Sequence, residues 1–205
     1  MYNNYMQKKL GKITTNKNLE NQSSAPPGQF VTEKFPVFSA FPSPKINLDK
    51  WTFDIKAKNI LILSYNWEEI KQINTSEIME DFHCVTQWSR LQTKWKGYLV
   101  SEILKELTID SKLLYVSITC YDGYTTNLLK SDLMNEKSIL ATEYEGKKLE
   151  ESHGYPLRLV IPHLYGWKSA KWIKEINFTE NPVPGFWEVR GYHMNGDPWK
   201  QERFS

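Results

Sequence analysis

The feature that most limits the fold of this chain is the shortness of its patterned stretches. Residues 51–56 alternate apolar and polar, Trp51-Thr52-Phe53-Asp54-Ile55-Lys56, as a half-buried strand does. Residues 60–63 form a second strand-like run. Asn66 then stands as an N-cap before a short helix with Glu68 and Glu69 in its first turn, where acids favour the helix dipole. A short apolar stretch at 82–85 reads as a buried strand leading into a loop. Residues 100–107 have helical spacing, with Ile103, Leu104 and Leu107 on one face. A core strand is expected at 113–118, a turn at Asp122-Gly123, and a helix over 127–134 capped by Asn127. Further strands are expected at 139–144, 157–161 and 172–176, the first entering a turn at Glu145-Gly146-Lys147. Strands and short helices mix with neither a βαβ rhythm nor a fixed repeat, which predicts an α+β fold with mixed sheets.

Composition narrows the function classes. Hydrophobic residues make up 40% and aromatics 14%, with eight Trp, so a substantial core is available. A net charge of +2 argues against a general nucleic-acid binder. Two cysteines, not in a CxxC pair, suit neither a disulfide framework nor a multi-cysteine zinc site. The longest apolar runs are far too short to span a bilayer. Lys8, Lys9 and Lys12 are not followed by an apolar leader, and there is no twin arginine. These features predict a cytoplasmic protein with no membrane span. Residues 1–28, rich in Asn, Gln, Lys, Ser and Thr, read as an extended or mobile N-terminal arm, and residues 29–205 as one folded domain.

Chemistry concentrates in a few places. Cys84 lies among aromatic residues, where a lone thiol is either a buried structural side chain or a soft donor for a soft metal. His83 beside it would face the other way on a strand. Arg158 sits in an apolar strand and requires an anionic partner there. The segment Gly166-Trp167-Lys168-Ser169-Ala170-Lys171 offers backbone N–H groups, a hydroxyl and two ammonium groups, a suitable cradle for a small anion. His153, His163 and His193 are each more readily structural than ligating, and His153 gains interest from its offset to Arg158. Residues 117–127 read as a polar loop lining a site, with Tyr121 and Tyr124 presenting hydroxyls to a substrate and Cys120 as a structural thiol.

Four separated motifs then appear in one order: Phe82-His83-Cys84-Val85-Thr86-Gln87-Trp88-Ser89; Asp122-Gly123-Tyr124-Thr125-Thr126-Asn127; residues 153–171; and Pro184-Gly185-Phe186-Trp187-Glu188 with Gly191-Tyr192-His193-Met194. Together they resemble the molybdopterin domain of the sulfite oxidase family, in its small bacterial and archaeal form. The resemblance implies a molybdenum-molybdopterin cofactor with Cys84 as the metal ligand. It implies that Thr119, His153 and Arg158 contact the pterin and that Ser169, Ala170 and Lys171 hold its phosphate end, with Lys168 nominated by the cradle described above. Thr32-Glu33-Lys34 aligns with another pterin-contacting segment, which nominates Thr32 and Lys34. The reaction implied is two-electron oxygen-atom transfer on a small oxyanion or sulfoxide, with electrons exchanged with a separate partner protein. Two departures leave the substrate open. No arginine follows Cys84 as sulfite oxidases have, and His153 stands where the related sulfoxide reductases carry Asn. Two other readings stay open on the residues alone: a hydrolase with Cys84 as nucleophile and His153 or His163 as base, and a pterin-binding module without turnover.

Overall fold

The computed structural model describes residues 24–205, so most of the expected arm over 1–28 lies outside the described residues. The strands are β1 (Phe30–Val31), β2 (Thr52–Ala57), β3 (Ile60–Asn66), β4 (Ser76–His83), β5 (Trp88–Leu99), β6 (Tyr115–Cys120), β7 (Thr125–Leu129), β8 (Ile139–Tyr144), β9 (Lys147–Lys148), β10 (Arg158–Val160) and β11 (Ile173–Thr179). Three short helices join them: α1 (Trp67–Ile70), α2 (Val100–Leu104) and α3 (Lys130–Leu133). One sheet runs β1-β5-β8-β10, with β4 paired to β5 and β9 to β8; the other runs β3-β2-β11-β6-β7. Both sheets contain one parallel and several antiparallel pairs, as the α+β reading anticipates.

The alternation of β2 puts Phe53 and Ile55 into the main core, where Ile118 of β6 and Ile176 of β11 meet them, all fully buried. A second core, containing Phe82, Trp88, Trp95 and Val160, fills the space between β4, β5 and β10. Asn66 caps α1 with a full capping box: it accepts from Glu68 and Glu69, and Glu69 returns a bond to its N–H. At Gly97 of β5, an added Cβ would stand 2.1 Å from the Leu140 carbonyl oxygen of β8, so only glycine allows these strands to close.

Several elements differ from the sequence reading. The helix expected at 127–134 is half strand. Asn127 belongs to β7, opposite Ser117 of β6, and only residues 130–133 are helical. The Asp122-Gly123 turn closes a hairpin and carries the extended backbone through Leu129, which overrides local helical spacing. The polar stretch 117–127 is therefore this hairpin and not a loop. The helix at 100–107 stops at Leu104. Strand β5, twelve residues long, carries no clean alternation because its register shifts between Lys96 and Gly97 and the opposing β4 shifts between Glu80 and Phe82.

Candidate functional site

Strand β4 ends at His83 and β5 begins at Trp88; the turn between them carries Cys84. Its backbone is fixed by Cys84 N–H to the Trp88 carbonyl (2.9 Å) and Gln87 N–H to the Cys84 carbonyl (3.0 Å), with Gln87 in the left-handed region at φ 73°. The thiol is buried, and its Sγ lies 3.0 Å from Thr86 Oγ1. Burial pushes the thiol pKa up, while the Thr86 hydrogen bond and the charge of Arg203 pull the other way. His83 turns away into the protein, its Nδ1 2.8 Å from Ser89 Oγ, and burial lowers its pKa.

Beside this turn opens a cleft walled by Val85, Thr86, Tyr124, Trp167, Trp187 and Tyr192. It adjoins a second compartment walled by Phe35, His153 and Arg158, and the two share Phe38, Gly166, Ser169 and Lys171. Gly166 lets the wall close up: a Cβ there would meet the Phe82 ring at 2.7 Å. Arg158 lines the second compartment directly, whereas the Cys84 turn reaches the first through Val85 and Thr86; Cys84 itself lines neither.

Arg158 is 3% exposed. Nη1 donates to the His153 carbonyl and Nη2 to the Ser169 carbonyl, each at 3.1 Å, while Nε is buried with no partner. The guanidinium lies 5.1 Å from the Trp95 ring centroid and forms no ion pair among the described residues. Burial draws its pKa from 12.5 down to about 10. A buried cation lacking an anion is a cost that the fold itself does not explain. Around it, His153 Nε2 lies 3.3 Å from the Phe35 carbonyl, and burial lowers its pKa. Ser169 Oγ accepts from Ile161 N–H. The N–H of Ala170 has no protein acceptor among the described residues. Lys171 donates to Ser39 Oγ and to the Ser152 carbonyl (2.9 Å), with Nζ 4.5 Å from the Trp172 ring centroid.

Other nominated residues sit elsewhere. The Lys168 side chain is fully buried; Nζ meets the Asn127 carbonyl and Oδ1 (2.9 Å each), Glu188 Oε1 (2.6 Å) and the Met194 carbonyl (2.7 Å). Four acceptors use up its three hydrogens, so it has none for a phosphate. Tyr121 Oη is held by the Thr52 N–H and carbonyl at 2.8 and 2.7 Å, a fastening between the β6–β7 hairpin and β2. Tyr124 walls the cleft but donates its hydroxyl to the Trp167 carbonyl (2.7 Å). Thr119 lies on the face of β6 opposite core-facing Ile118 and Cys120 and lines neither compartment. Thr32 accepts from Lys34 N–H, and Lys34 is exposed; the groove is reached a few residues later, by Phe35 and Phe38. His163 Nε2 pairs with Asp132 at 3.1 Å, and the hydrogen-bond partner of the Cys84 thiol is Thr86, so the thiol–imidazole pair of a hydrolase is not assembled. Among the described residues no three His, Cys, Asp or Glu side chains gather as a metal cluster, and no helix is long and apolar enough to cross a membrane. Gln29 and Arg203, both touching the Cys84 turn, carried no motif that would single them out.

The site is thus an aromatic groove with a buried guanidinium that has no ion pair among the described residues, next to the turn that carries Cys84. The chain belongs to the family of oxidoreductase molybdopterin-binding domains, which residues 40–187 match. It is 40% identical over 187 residues to an uncharacterised oxidoreductase, YuiH, of Bacillus subtilis (strain 168), covering 91% of this chain and 94% of that one. It is 31% identical to the catalytic subunit of the protein-methionine-sulfoxide reductase MsrP of Xanthomonas axonopodis pv. citri (strain 306), over 69% of this chain and 49% of that protein. Its fold is also that of the sulfane dehydrogenase SoxCD of Paracoccus pantotrophus, at a TM-score of 0.60 and 17% identity, over 69% of this chain and 41% of that one. The family binds molybdopterin, and the groove fits it. The orphaned Nε of Arg158 and the N–H of Ala170, which has no protein acceptor among the described residues, suit an anionic group, and the turn that walls the other compartment carries a soft donor, the Cys84 thiol.

Proposed function

We propose that this chain is a molybdenum-dependent oxidoreductase acting by oxygen-atom transfer, with the Cys84 thiolate as the protein's ligand to the metal. The observation that carries this reading is the buried Arg158 guanidinium, without a protein anion among the described residues, in a compartment that adjoins a cleft walled by Val85 and Thr86 of the Cys84 turn. When bound, molybdopterin supplies the two-electron chemistry, its metal cycling between two oxidation states. The protein's part is to bind, orient and exclude water. Arg158 and the Ser169-Ala170-Lys171 segment hold the anionic end, His153 meets the pterin edge, and Trp167, Trp187 and Tyr192 dry the wall beside the thiol. Residues 29–205 are the catalytic domain in this reading, and a separate protein exchanges electrons with it.

For the substrate we favour a small sulfoxide over a sulfite-like oxyanion. The sulfoxide reductase relatives support this, as does the aromatic wall around Tyr192, whose phenol lies within electrostatic reach of Cys84. The test is metal and pterin analysis of wild type and Cys84→Ser, both produced with molybdate. The wild type should carry molybdenum and pterin, and the variant should lose the metal or change its spectrum while keeping the fold. Equal metal content with unchanged spectra would remove Cys84 from the metal.

A further inference from the structure

The Cys84 turn is gripped from outside by two side chains that the family match over residues 40–187 does not include. From the N-terminal side, Gln29 Nε2 donates to the Cys84 carbonyl at 3.1 Å, and Gln29 Oε1 accepts from Ser89 Oγ at 3.4 Å. The neighbouring Phe30 N–H donates to the Gln87 carbonyl at 2.9 Å, which fixes where Gln29 stands. From the C-terminal side, Arg203 Nη1 donates to the Val85 carbonyl at 2.6 Å, and its guanidinium lies 5.2 Å from the Tyr165 ring centroid. Arg203 is itself held: its carbonyl accepts from His193 N–H, and the next residue, Phe204, bridges to Tyr192 of the cleft wall. It forms no ion pair with a carboxylate among the described residues, so its charge stays uncompensated beside the thiol.

Two consecutive peptide planes, those following Cys84 and Val85, are therefore pinned by their oxygens. Holding both oxygens keeps the turn in one conformation and so fixes where the Cys84 Cα stands and where its side chain starts. We infer that Gln29 and Arg203 are positioning residues that together fix the direction of the Cys84 sulfur, Arg203 adding a permanent positive charge beside that sulfur. This rests on Cys84 being the ligand. A sulfur held at one torsion fixes its overlap with a bound metal, and a nearby cation weakens the sulfur's donation and raises the metal's reduction potential.

The test has two independent arms. In cofactor-free protein, Cys84 is alkylated with iodoacetate and with iodoacetamide, the adduct being located by peptide mass. The ratio of the two rates cancels the thiolate fraction and reads only the local preference for an anion. Arg203→Gln, which keeps a donor for the Val85 carbonyl but no charge, should lower the ratio several-fold. Arg203→Lys should largely retain it, and Gln29→Leu should leave it unchanged. In the loaded protein, Gln29→Leu should alter the electron paramagnetic resonance of the half-reduced metal, and Arg203→Gln should move its midpoint potential lower. A wild-type ratio in Arg203→Gln, or wild-type resonance in Gln29→Leu, would overturn the clamp. If instead Cys84→Ser keeps metal and spectrum, the ligand assignment fails while the alkylation arm still reads the Arg203 charge on its own.

Discussion

Replacing Lys168 with Met separates a structural lysine from a cofactor-binding one. The side chain keeps its length and apolar stem but loses four polar contacts inside the protein. The main loss is electrostatic. Glu188 has a fully buried side chain, and its Oε1 accepts from Lys168, Thr126 Oγ1 (2.9 Å) and Trp167 Nε1 (3.1 Å), while Oε2 has no partner. Removing one member of a buried ion pair and stranding the other costs about 3–5 kcal/mol. Against a typical total stability of about 5–15 kcal/mol, that is a large fraction. At roughly 2–4 °C per kcal/mol for a chain of this size, melting of cofactor-free protein should fall by about 6–20 °C. The double variant Lys168→Met/Glu188→Leu removes the stranded carboxylate and should recover at least half of the loss; full recovery is not expected because Thr126 and Trp167 lose their acceptor. Thermal melts of the cofactor-free proteins read both effects. A Lys168→Met protein that melts like wild type yet fails to retain pterin would refute the assignment and return Lys168 to the cofactor.

Arg158→Met should behave in the opposite way. The depressed guanidinium pKa corresponds to about 3 kcal/mol of unfavourable charge burial, which offsets the two hydrogen bonds lost, so cofactor-free melting should change little while cofactor-dependent stabilisation disappears. A melt as low as that of Lys168→Met would contradict this. Gly97→Ala drives a methyl group into the Leu140 carbonyl and should cost several kcal/mol, about 3 or more, read by chemical denaturation; a loss below about 1 kcal/mol would mean β5 and β8 separate easily. His83 and His153 both have pKa values lowered by burial, so the unfolded chain binds their protons more tightly. Their contribution to stability is complete above the ordinary value of 6.5 and is lost as pH falls from there through the lowered values, so the melting temperature should drop as pH falls below 6.5. His153→Asn should flatten that slope; a melting temperature that rises on acidification would contradict the assignment.

Short patterned segments made much of the fold legible. Phe53 and Ile55 alternate on a strand with one buried face, and Asn66 with Glu69 writes a helix start into four residues. Strand β5 was not legible, because its register shift breaks the period on which recognition depends. At the site, Cys84 and Arg158 stood out because each is an unusual residue for its surroundings. Lys168 misled for the same reason: in the sequence it looks like a partner for an anion from outside, and its anion, Glu188, comes from twenty residues further along the chain. Arg203, near the C-terminus, belongs to no pattern; only the folded chain brings it back over Val85.

Arg158 has no counterion among the described residues, so the protein without its cofactor bears the cost of that buried charge. Should molybdopterin supply the anion, as proposed, docking would do more than equip the protein for catalysis: it would discharge a standing tension, its free energy being added to that of folding. Cells starved of molybdate should therefore clear this protein faster, proteolysis culling the empty molecules first.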